Sequence, residues 1–174
     1  MRLIIGLGNP GLRYANTRHN LGSTFVDYFA ESKSLVFSFQ ARHETYLAQN
    51  TSLMIAKPVN FMNNSGSTVR SLVNFYKIDL DDLFIVHDDL DLTLGDFKIQ
   101  KGTGPKDHNG VNSVESSLGS IDFWRIRIGA DNRTPDNQIS GEEYVLMPFS
   151  EFELTVVKNL LPTIAKRLNE NIPA

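Results

Sequence analysis

Several polar residues that could act on a substrate fall where predicted strands end or predicted helices begin. They are Asn9, His19, Asn63, Asp88, His108 and Asn109. A histidine can serve as a general base near neutral pH, a carboxylate can orient it, and amide side chains can bind carbonyl oxygens and steady an oxyanion. The chain has no Cys and no G-x-S-x-G pattern, so nothing indicates a covalent nucleophile. The combination predicts a base-and-amide site that activates water.

Each of these residues also has a purely structural interpretation. His19 could cap the helix that follows it, and Asp88 could be an exposed carboxylate in an acidic turn. Asn63 and Asn109 could be helix caps. Open α/β sheets assemble their ligand sites at the rim formed by strand ends and helix starts. Because these residues share that predicted rim, together they favour a functional site more strongly than each does alone.

Two other kinds of site are weaker alternatives. Residues Gly6–Gly11 formally match the G-x-G-x-x-G dinucleotide fingerprint, but its third glycine should already lie in a helix, and Leu12–Asn20 is typical of a loop. The run His87–Asp91 could suggest a Mg²⁺ or Ca²⁺ site, because hard cations take clustered carboxylates. It lacks the EF-hand spacing, so the cation interpretation is also weak.

The composition is that of an ordinary globular protein. The 174 residues are 41% hydrophobic and 21% charged, which predicts a single domain over residues 1–174. The absence of Cys favours a reducing cytoplasm. No apolar run approaches the roughly 18 residues that span a bilayer, so no membrane partner is expected.

The charge is unevenly distributed along the chain. The net charge is −3 and the pI is about 5.8, which argues mildly against nucleic acid. Asp79–Asp96 contains seven carboxylates and no Lys or Arg, whereas Phe97–Arg133 contains six basic residues against four acidic ones. A local basic face can bind phosphate even on an acidic protein, so composition leaves RNA open as a partner.

Hydrophobic patterns predict an α/β fold: a single domain with a twisted mixed β-sheet and helices on both of its faces. The predicted strands are Leu3–Leu7, Leu35–Phe39, Tyr46–Ala48, Leu53–Ala56, Leu83–Val86, Phe97–Gln100 and Phe123–Ile128. The predicted helices cover Ser23–Lys33, the segment after Asn64, the segment from His108 to a stop at Gly119, and the segment after Ser150.

Three details of this prediction bear on the site. The fifth strand, Leu83–Val86, is expected to end at His87-Asp88-Asp89, which places Asp88 at the strand end or in an acidic turn. Arg125 and Arg127 share one face of the last strand, and that face could be solvated. Ser150-x-x-Glu153 is a capping box, and the helix behind it is expected to turn four residues inward: Phe152, Val156, Leu160 and Ile164.

Long segments of the sequence closely resemble the bacterial type of peptidyl-tRNA hydrolase. The matching segments are GLGNPGLRYANTRHNLG (6–22), KPVNFMNNSG (57–66), HDDLDLTLG (87–95), HNGVNS (108–113), LGSIDFWRIRIG (118–129) and the weaker YVLMPFSEFE (144–153). They span nearly the whole chain, and the first three are long and distinctive. Enzymes of this family cleave the ester that joins a peptide to the 3′ ribose of tRNA.

The resemblance implies a role for each candidate residue. His19 would be the general base, Asp88 the carboxylate that orients it, and Asn9 the group that positions the peptide-side carbonyl or the water. The implied substrate-binding residues are Tyr14, Phe61, Met62, Asn63, Asn109 and His108, the last lying toward the tRNA. The implied tRNA contacts are Lys101 and Arg127. The resemblance also implies peptidyl-tRNA as the partner, a monomer, and no need for a cofactor or a metal.

The chain departs from the family pattern beside this site. Lys106-Asp107 replaces a usual Gly-Gly, and Ala130–Pro135 replaces a short glycine and proline turn. Lys106 could contact a tRNA phosphate, or the Lys-Asp pair could be solvated and self-compensating. Two rival functions remain open: a non-catalytic RNA-binding protein on the same fold, like the chloroplast intron-splicing relative, and a dinucleotide or small-molecule enzyme. Retention of Asn9, His19 and Asp88 together favours the hydrolase.

Overall fold

Seven strands form one sheet in the part of the chain that the computed structural model describes, residues 1–171. The strands are β1 (Arg2–Gly6), β2 (Ser38–Gln40), β3 (Thr45–Gln49), β4 (Leu53–Pro58), β5 (Leu83–Thr93), β6 (Phe97–Lys101) and β7 (Trp124–Asp131). Their spatial order is β2-β3-β4-β1-β5-β7-β6. The central strands β4, β1, β5 and β7 are parallel, and β2, β3 and β6 pair antiparallel with their neighbours. The predicted mixed sheet is confirmed.

Helices cover both faces of the sheet. They are α1 (Leu21–Ser32), α2 (Ser65–Tyr76), α3 (Asn109–Leu118), α4 (Gly141–Val145) and α5 (Glu151–Asn171). Successive residues of β1 point to opposite faces: Ile4 packs with α1 and α5, whereas Leu3 and Ile5 pack with α2 and α3. The sheet is therefore buried on both sides, as a parallel sheet with crossover helices requires.

A close contact between glycines fixes the start of α1 on the sheet. A Cβ at Gly22 would lie 2.2 Å from the Val86 carbonyl oxygen, and one at Gly6 would lie 2.3 Å from the Gly22 carbonyl oxygen. Only glycine permits this approach of helix backbone to strand backbone. The turn immediately before α1, which carries His19, is consequently held close to β1 and β5.

The structure corrects the predicted end of the fifth strand. Pairing between β5 and β7 continues past Val86, with His87 opposite Arg127 and Asp88 opposite Ile128. Polar residues can continue a buried strand here because their side chains find partners inside the fold. Asp88 therefore lies within a central strand rather than at a strand end or in an acidic turn.

The C-terminal helix is confirmed at its start and corrected in its orientation. The Ser150 N–H donates to Glu153 Oε2 (2.8 Å), and the Glu153 N–H donates to Ser150 Oγ (3.3 Å), which completes the predicted capping box. Phe152, expected to face inward, is 71% exposed. Val157 and Leu161 are buried in α5, each one position later than the predicted Val156 and Leu160, whereas Ile164 is buried as predicted.

Two further observations concern the start of α1 and the lengths of the helices. Gly11 lies in a loop with φ of +96°, ten residues before α1 begins at Leu21, so the helix that a dinucleotide fingerprint needs does not start there. None of the helices within residues 1–171 is both long enough and apolar enough to cross a bilayer.

Candidate active site

The centre of the candidate site is the carboxylate of Asp88, which is buried between two histidines. His19 Nδ1 lies 3.0 Å from Asp88 Oδ1 and 3.1 Å from Oδ2, and His108 Nε2 lies 2.9 Å from Oδ1. Burial by itself would raise the pKa of Asp88, but the charges and hydrogen bonds of the two histidines outweigh it and hold the pKa below its ordinary value. Asp88 is therefore an ionised acceptor for both rings.

The backbone at the start of α3 fixes the tautomer of His108. The N–H groups of Gly110 and Val111 donate to His108 Nδ1 at 3.1 and 3.3 Å, so the ring is the N-cap of α3. Because Nδ1 accepts, the proton of a neutral ring must lie on Nε2, where it is donated to Asp88. Both ring nitrogens are thus occupied inside the protein. The predicted role of His108 in binding substrate stays a prediction, and neither ring nitrogen is free to serve it.

His19 has the opposite arrangement, with one nitrogen committed and one open. Its Nδ1 faces the Asp88 carboxylate and must carry a proton to donate there, which leaves the lone pair of a neutral ring on Nε2. Burial lowers the pKa of His19, but the charge of Asp88 and the hydrogen bond to it outweigh burial and raise the pKa above its ordinary 6.5. Among the described residues, Nε2 has no hydrogen-bond partner, and the ring lines a cleft.

Asn9 is held rigidly beside this cleft. Its N–H donates to Asn20 Oδ1 (2.8 Å), its carbonyl oxygen accepts from Asn20 Nδ2 (2.9 Å), and its own side-chain oxygen accepts from the Met62 N–H (2.8 Å). These bonds commit the oxygen of the Asn9 amide to the protein. The NH₂ group of that amide remains available as a hydrogen-bond donor to a ligand.

The cleft that His19 and Asn9 share has a volume of about 510 Å³. Four of the predicted substrate-binding residues line it: Phe61, Met62, Asn63 and Asn109. Tyr14 stands at its margin, with its ring edge-on to Phe61 at a centroid distance of 6.4 Å. The cleft is thus bounded by apolar surface and carries several amide groups, a combination suited to a peptide.

Sequence reasoning missed one wall of this cleft. Glu142, Val145 and Leu146 line it from α4 and the residue after α4. A signal existed, because Ser140-x-x-Glu143 is a capping-box pattern, and the Glu143 N–H donates to Ser140 Oγ at 3.2 Å. The helix has only five residues, too few for hydrophobic periodicity to reveal it.

The predicted tRNA contacts divide into exposed and buried residues. Lys106 is exposed beside a smaller cavity of about 210 Å³ that also contains His19 and Asp88, and Lys101 pairs at the surface with Asp81. Arg127 is buried instead, with its Nε 2.6 Å from Asp89 Oδ2. The predicted contact of Arg127 with tRNA stays a prediction, and the guanidinium group is already bonded within the protein.

Arg125, which shares a face of β7 with Arg127, is also closed to solvent. Arg125 is buried, with Nη2 2.7 Å from Glu115 Oε1 and Nη1 donating to the Gly104 carbonyl oxygen. The pair of arginines on β7 is accordingly not a solvated face. The two guanidinium groups bond residues between positions 89 and 121 of the protein itself.

The side chains of the acidic run His87–Asp91 bond several different partners in the described part of the chain. Asp89 bonds Arg127 and the Asp91 N–H, and Asp88 bonds the histidines. His87 is fully buried; burial lowers its pKa to about 3, and its Nδ1 donates to the Asp88 carbonyl oxygen at 2.6 Å. The carboxylates are therefore divided among separate partners.

One group of three residues could supply metal-ligand atoms within 4.8 Å of one another: His19, Asp88 and His108. A metal at His108 Nε2 would need the lone pair at that nitrogen and the proton on Nδ1. His108 Nδ1 already accepts hydrogen bonds from two backbone N–H groups. A proton on Nδ1 would therefore face two other N–H groups and both hydrogen bonds would be lost. The residues present therefore fit a hydrogen-bonded His–Asp–His arrangement better than a metal centre.

Fold and site together define an α/β protein with a histidine–carboxylate site near the carboxyl ends of a parallel sheet. The family model for peptidyl-tRNA hydrolase matches residues 3–173. Peptidyl-tRNA hydrolase from Mycoplasma capricolum is 39% identical, over 98% of this chain and 92% of that protein. The enzyme of that name from a Wolbachia strain is 41% identical, over 97% and 92%.

Solved structures give the same result. The crystal structure of peptidyl-tRNA hydrolase from Acinetobacter baumannii superposes with a TM-score of 0.88 at 28% identity, covering 97% of this chain and 87% of that one. The chain belongs to the peptidyl-tRNA hydrolase family, whose members are hydrolases.

Proposed function

We propose that this protein hydrolyses the ester bond between a peptide, or an N-blocked aminoacyl group, and the 3′ ribose of tRNA, with His19 as the general base. One observation carries the proposal: the Nδ1 side of His19 is committed to Asp88, while its Nε2 side faces a cleft lined by amide groups. Membership of the family supports the substrate. The activity would release tRNA from abandoned translation, in the cytoplasm.

In this mechanism His19 Nε2 takes a proton from water, and the water oxygen attacks the ester carbonyl carbon. The Asn9 NH₂ group donates to the carbonyl oxygen as negative charge develops on it. The bond from that carbon to the ribose 3′ oxygen then breaks, and the leaving oxygen takes the proton that His19 now holds. The products are a free carboxylic acid and tRNA, and His19 is returned to its neutral form.

Asp88 and His108 would act through His19 rather than on the substrate. The carboxylate holds the His19 proton on Nδ1 and stabilises the imidazolium that forms when Nε2 takes a proton. His108 in turn holds the carboxylate from its other side, with its own tautomer fixed by α3. We propose His108 as a positioning residue, which replaces its predicted role in binding substrate.

The reaction as proposed uses no metal and no cofactor. An ester has a better leaving group than an amide, so one positioned base and oriented water suffice. The protonated Nε2 that His108 offers to Asp88 supports this view, since it leaves no complete ligand set at the site. We propose a monomer as the active form, as the resemblance to the family implies.

The peptide side of the substrate would lie along the amide-lined cleft, where Asn63 and Asn109 can bond a peptide backbone. The tRNA would approach from the side of Lys101 and Lys106, the two predicted contacts that remain exposed. Arg127 would serve that surface only indirectly, through its bond to Asp89.

The deciding experiment is release of free peptide from N-acetylated aminoacyl-tRNA or a longer peptidyl-tRNA by the purified protein. Turnover by wild type, lost in His19→Ala while the variant still binds the RNA, would support the proposal. Binding of the RNA by wild type with no release of peptide would instead favour the non-catalytic RNA-binding function.

A further inference from the structure

The residue immediately before the proposed base, Arg18, is buried and bonds a distant part of the chain. Only 4% of Arg18 is exposed. Its Nη2 lies 2.6 Å from Glu153 Oε1, and its Nη1 donates to the carbonyl oxygens of Met147 (3.1 Å) and Pro148 (3.0 Å). The planar guanidinium group presents its donors in a fixed fork that matches these separated acceptors, whereas an ammonium is a single point charge.

Two aromatic rings pack against the Arg18 guanidinium group, and backbone hydrogen bonds join the neighbouring residues. The guanidinium carbon lies 3.9 Å from the centroid of the Tyr144 ring and 4.9 Å from that of Phe149. The backbone adds the Arg18 N–H bond to the Met147 carbonyl oxygen (3.3 Å) and the Phe149 N–H bond to the Asn16 carbonyl oxygen (3.0 Å). The segment that leads into His19 is thus joined to residues 144–149 by side-chain and backbone bonds.

The segment joined in this way forms one wall of the cleft. We call residues 141–147 the α4 wall. Val145 and Leu146 face the cleft from this wall, and both neighbours of that pair, Tyr144 and Met147, contact Arg18. Among the side chains next to His19 in the sequence, Arg18 therefore supplies bonds that hold the α4 wall, in addition to the backbone bonds described above.

The energetics of the Arg18–Glu153 pair favour a role in positioning. Removing two charges from water costs free energy that their attraction only about offsets, so a buried ion pair adds little stability over apolar side chains of the same size. Arg18 Nε is also buried without a partner in the described part of the chain. The pair does favour one relative position of the segment that leads into His19 and residues 144–149, because its hydrogen bonds can form only in that arrangement.

We propose that Arg18 is a positioning residue for substrate binding, which holds the α4 wall at a fixed separation from His19 and so sets the width of the cleft. The inference rests on the proposed function, since the substrate concerned is peptidyl-tRNA. Arg18 itself makes no contact with the substrate, because its side chain is enclosed by Tyr144, Phe149 and Glu153.

The first test is steady-state kinetics of Arg18→Met on peptidyl-tRNA. We expect KM to rise roughly 3- to 30-fold, the range by which residues outside a site modulate it, with kcat within about twofold of wild type. Simple destabilisation behaves differently, because a smaller folded fraction lowers the apparent kcat and leaves KM unchanged. Leu168→Ala is the matched control: Leu168 is fully buried in α5, far along that helix from Glu153, and should lower Tm with KM unchanged.

A second variant separates charge from position. Arg18→Met leaves Glu153 buried without its cation, whereas Arg18→Met with Glu153→Gln removes that unpaired charge and keeps a side-chain oxygen for the Ser150 N–H. We expect the double variant to recover part of the lost Tm while its KM stays raised. A KM that returns to the wild-type value along with Tm would overturn the inference, as would an unchanged KM in Arg18→Met.

Hydrogen exchange gives a readout that does not need turnover. Amides of residues 144–149 should exchange faster in Arg18→Met than in wild type, and their rates in Leu168→Ala should follow only its global stability. Equal exchange of this segment in the two variants, once matched for stability, would refute the role of Arg18. Absence of peptide release by wild type would refute the proposed function, while the exchange experiment would still decide whether Arg18 fixes the α4 wall.

Discussion

Asp88 and Asp89 are neighbours on one strand, each about 1% exposed, yet their surroundings differ completely. Their side chains point to opposite faces of β5, as successive strand residues must. Asp88 faces two histidines at the edge of the cleft, whereas Asp89 bonds the guanidinium group of Arg127 away from it. The same residue type, at the same depth, is thus neutralised by partners of two different kinds.

The difference in partner determines what each carboxylate can do. Arginine stays protonated at any physiological pH, so the Asp89 pair can only hold structure. Histidine gains and loses a proton near neutral pH, and His19 has one nitrogen that reaches the cleft. We therefore assign Asp88 to the proposed chemistry and Asp89 to the anchoring of β7. The predictions below test this contrast.

The largest effect should come from His19→Ala, which removes the proposed base. We expect kcat to fall by roughly 10²-fold or more, the contribution of a positioned general base, with little change in binding of the RNA. The matched control is His43→Gln, since His43 is equally buried but bonds Ser71 far from the cleft. Wild-type turnover by His19→Ala in a peptide-release assay would contradict the mechanism.

Paired substitutions of the two carboxylates test the contrast directly. In Asp88→Asn the side-chain oxygen can still accept from both histidines, so we expect a clear loss of kcat with the fold retained. In Asp89→Asn one oxygen cannot serve both Arg127 and the Asp91 N–H, and a buried guanidinium loses its counter-charge. We expect that variant to lose about 3 kcal/mol of unfolding free energy, measured by urea denaturation, and to keep its kcat per folded molecule. Loss of stability in Asp88→Asn together with loss of kcat in Asp89→Asn would contradict the roles assigned to the two carboxylates.

The pH dependence should report the pKa of His19. The base must be neutral to act, so kcat/KM should fall as pH drops through a pKa raised above 6.5 by Asp88. Asp88→Asn removes the charge that raises this pKa, so its acid limb should move to lower pH. A limb at the same pH in both proteins would show that another group controls activity.

The same pKa shifts also predict how stability varies with pH. A folded-state pKa raised at His19 contributes stability that is complete below about 6.5 and is lost as pH rises through the raised value. The lowered pKa of Asp88 contributes stability that is present above its ordinary value and is lost in strong acid. The difference in Tm between wild type and Asp88→Asn should accordingly shrink as the solution is made alkaline beyond the His19 pKa.

Local patterns in the sequence were sufficient to predict much of the fold. Gly119 ends α3 in the left-handed conformation with φ of +65°, and Ser150 and Glu153 form their capping box. The mixed sheet followed from strand and helix periodicity. Features of this kind depend on residues within one or two turns of each other, so a single sequence contains the information.

The remaining features depend on partners distant in sequence. β5 continues through Asp88 because β7 pairs with it, and Arg127 is buried because its guanidinium group pairs with the Asp89 carboxylate, 38 residues earlier. Neither pairing leaves a periodic signal. For the same reason, the sequence could predict that the candidate residues around His19 lie at strand ends and helix starts. It could not predict that both nitrogens of His108 are bonded within the protein, or that Arg18 bonds Glu153 and the backbone of residues 147 and 148.

A smaller effect should come from Lys106, which is exposed where Arg127 is buried. If its ammonium contacts a tRNA phosphate, Lys106→Ala should flatten the slope of log K against log salt by about 0.7, the value for one contact to single-stranded RNA. Lys158→Ala, an exposed lysine of α5, serves as the control and should leave the slope unchanged. An unaltered slope in Lys106→Ala would assign Lys106 to solvent.

No effect at all is expected from removing metal ions. The acidic run of β5 has its carboxylates divided between histidines on one face and Arg127 on the other, and His108 presents a proton rather than a lone pair to the shared centre. A divalent cation at Asp88 would therefore have to displace a hydrogen bond and reverse a tautomer that two backbone N–H groups enforce. Protein treated with EDTA and dialysed should release peptide at the untreated rate. Loss of activity that is restored by adding Mg²⁺ or Zn²⁺ would mean that Asp88 binds a metal ion. The functional partner of Asp88 would then be that ion rather than the two histidines.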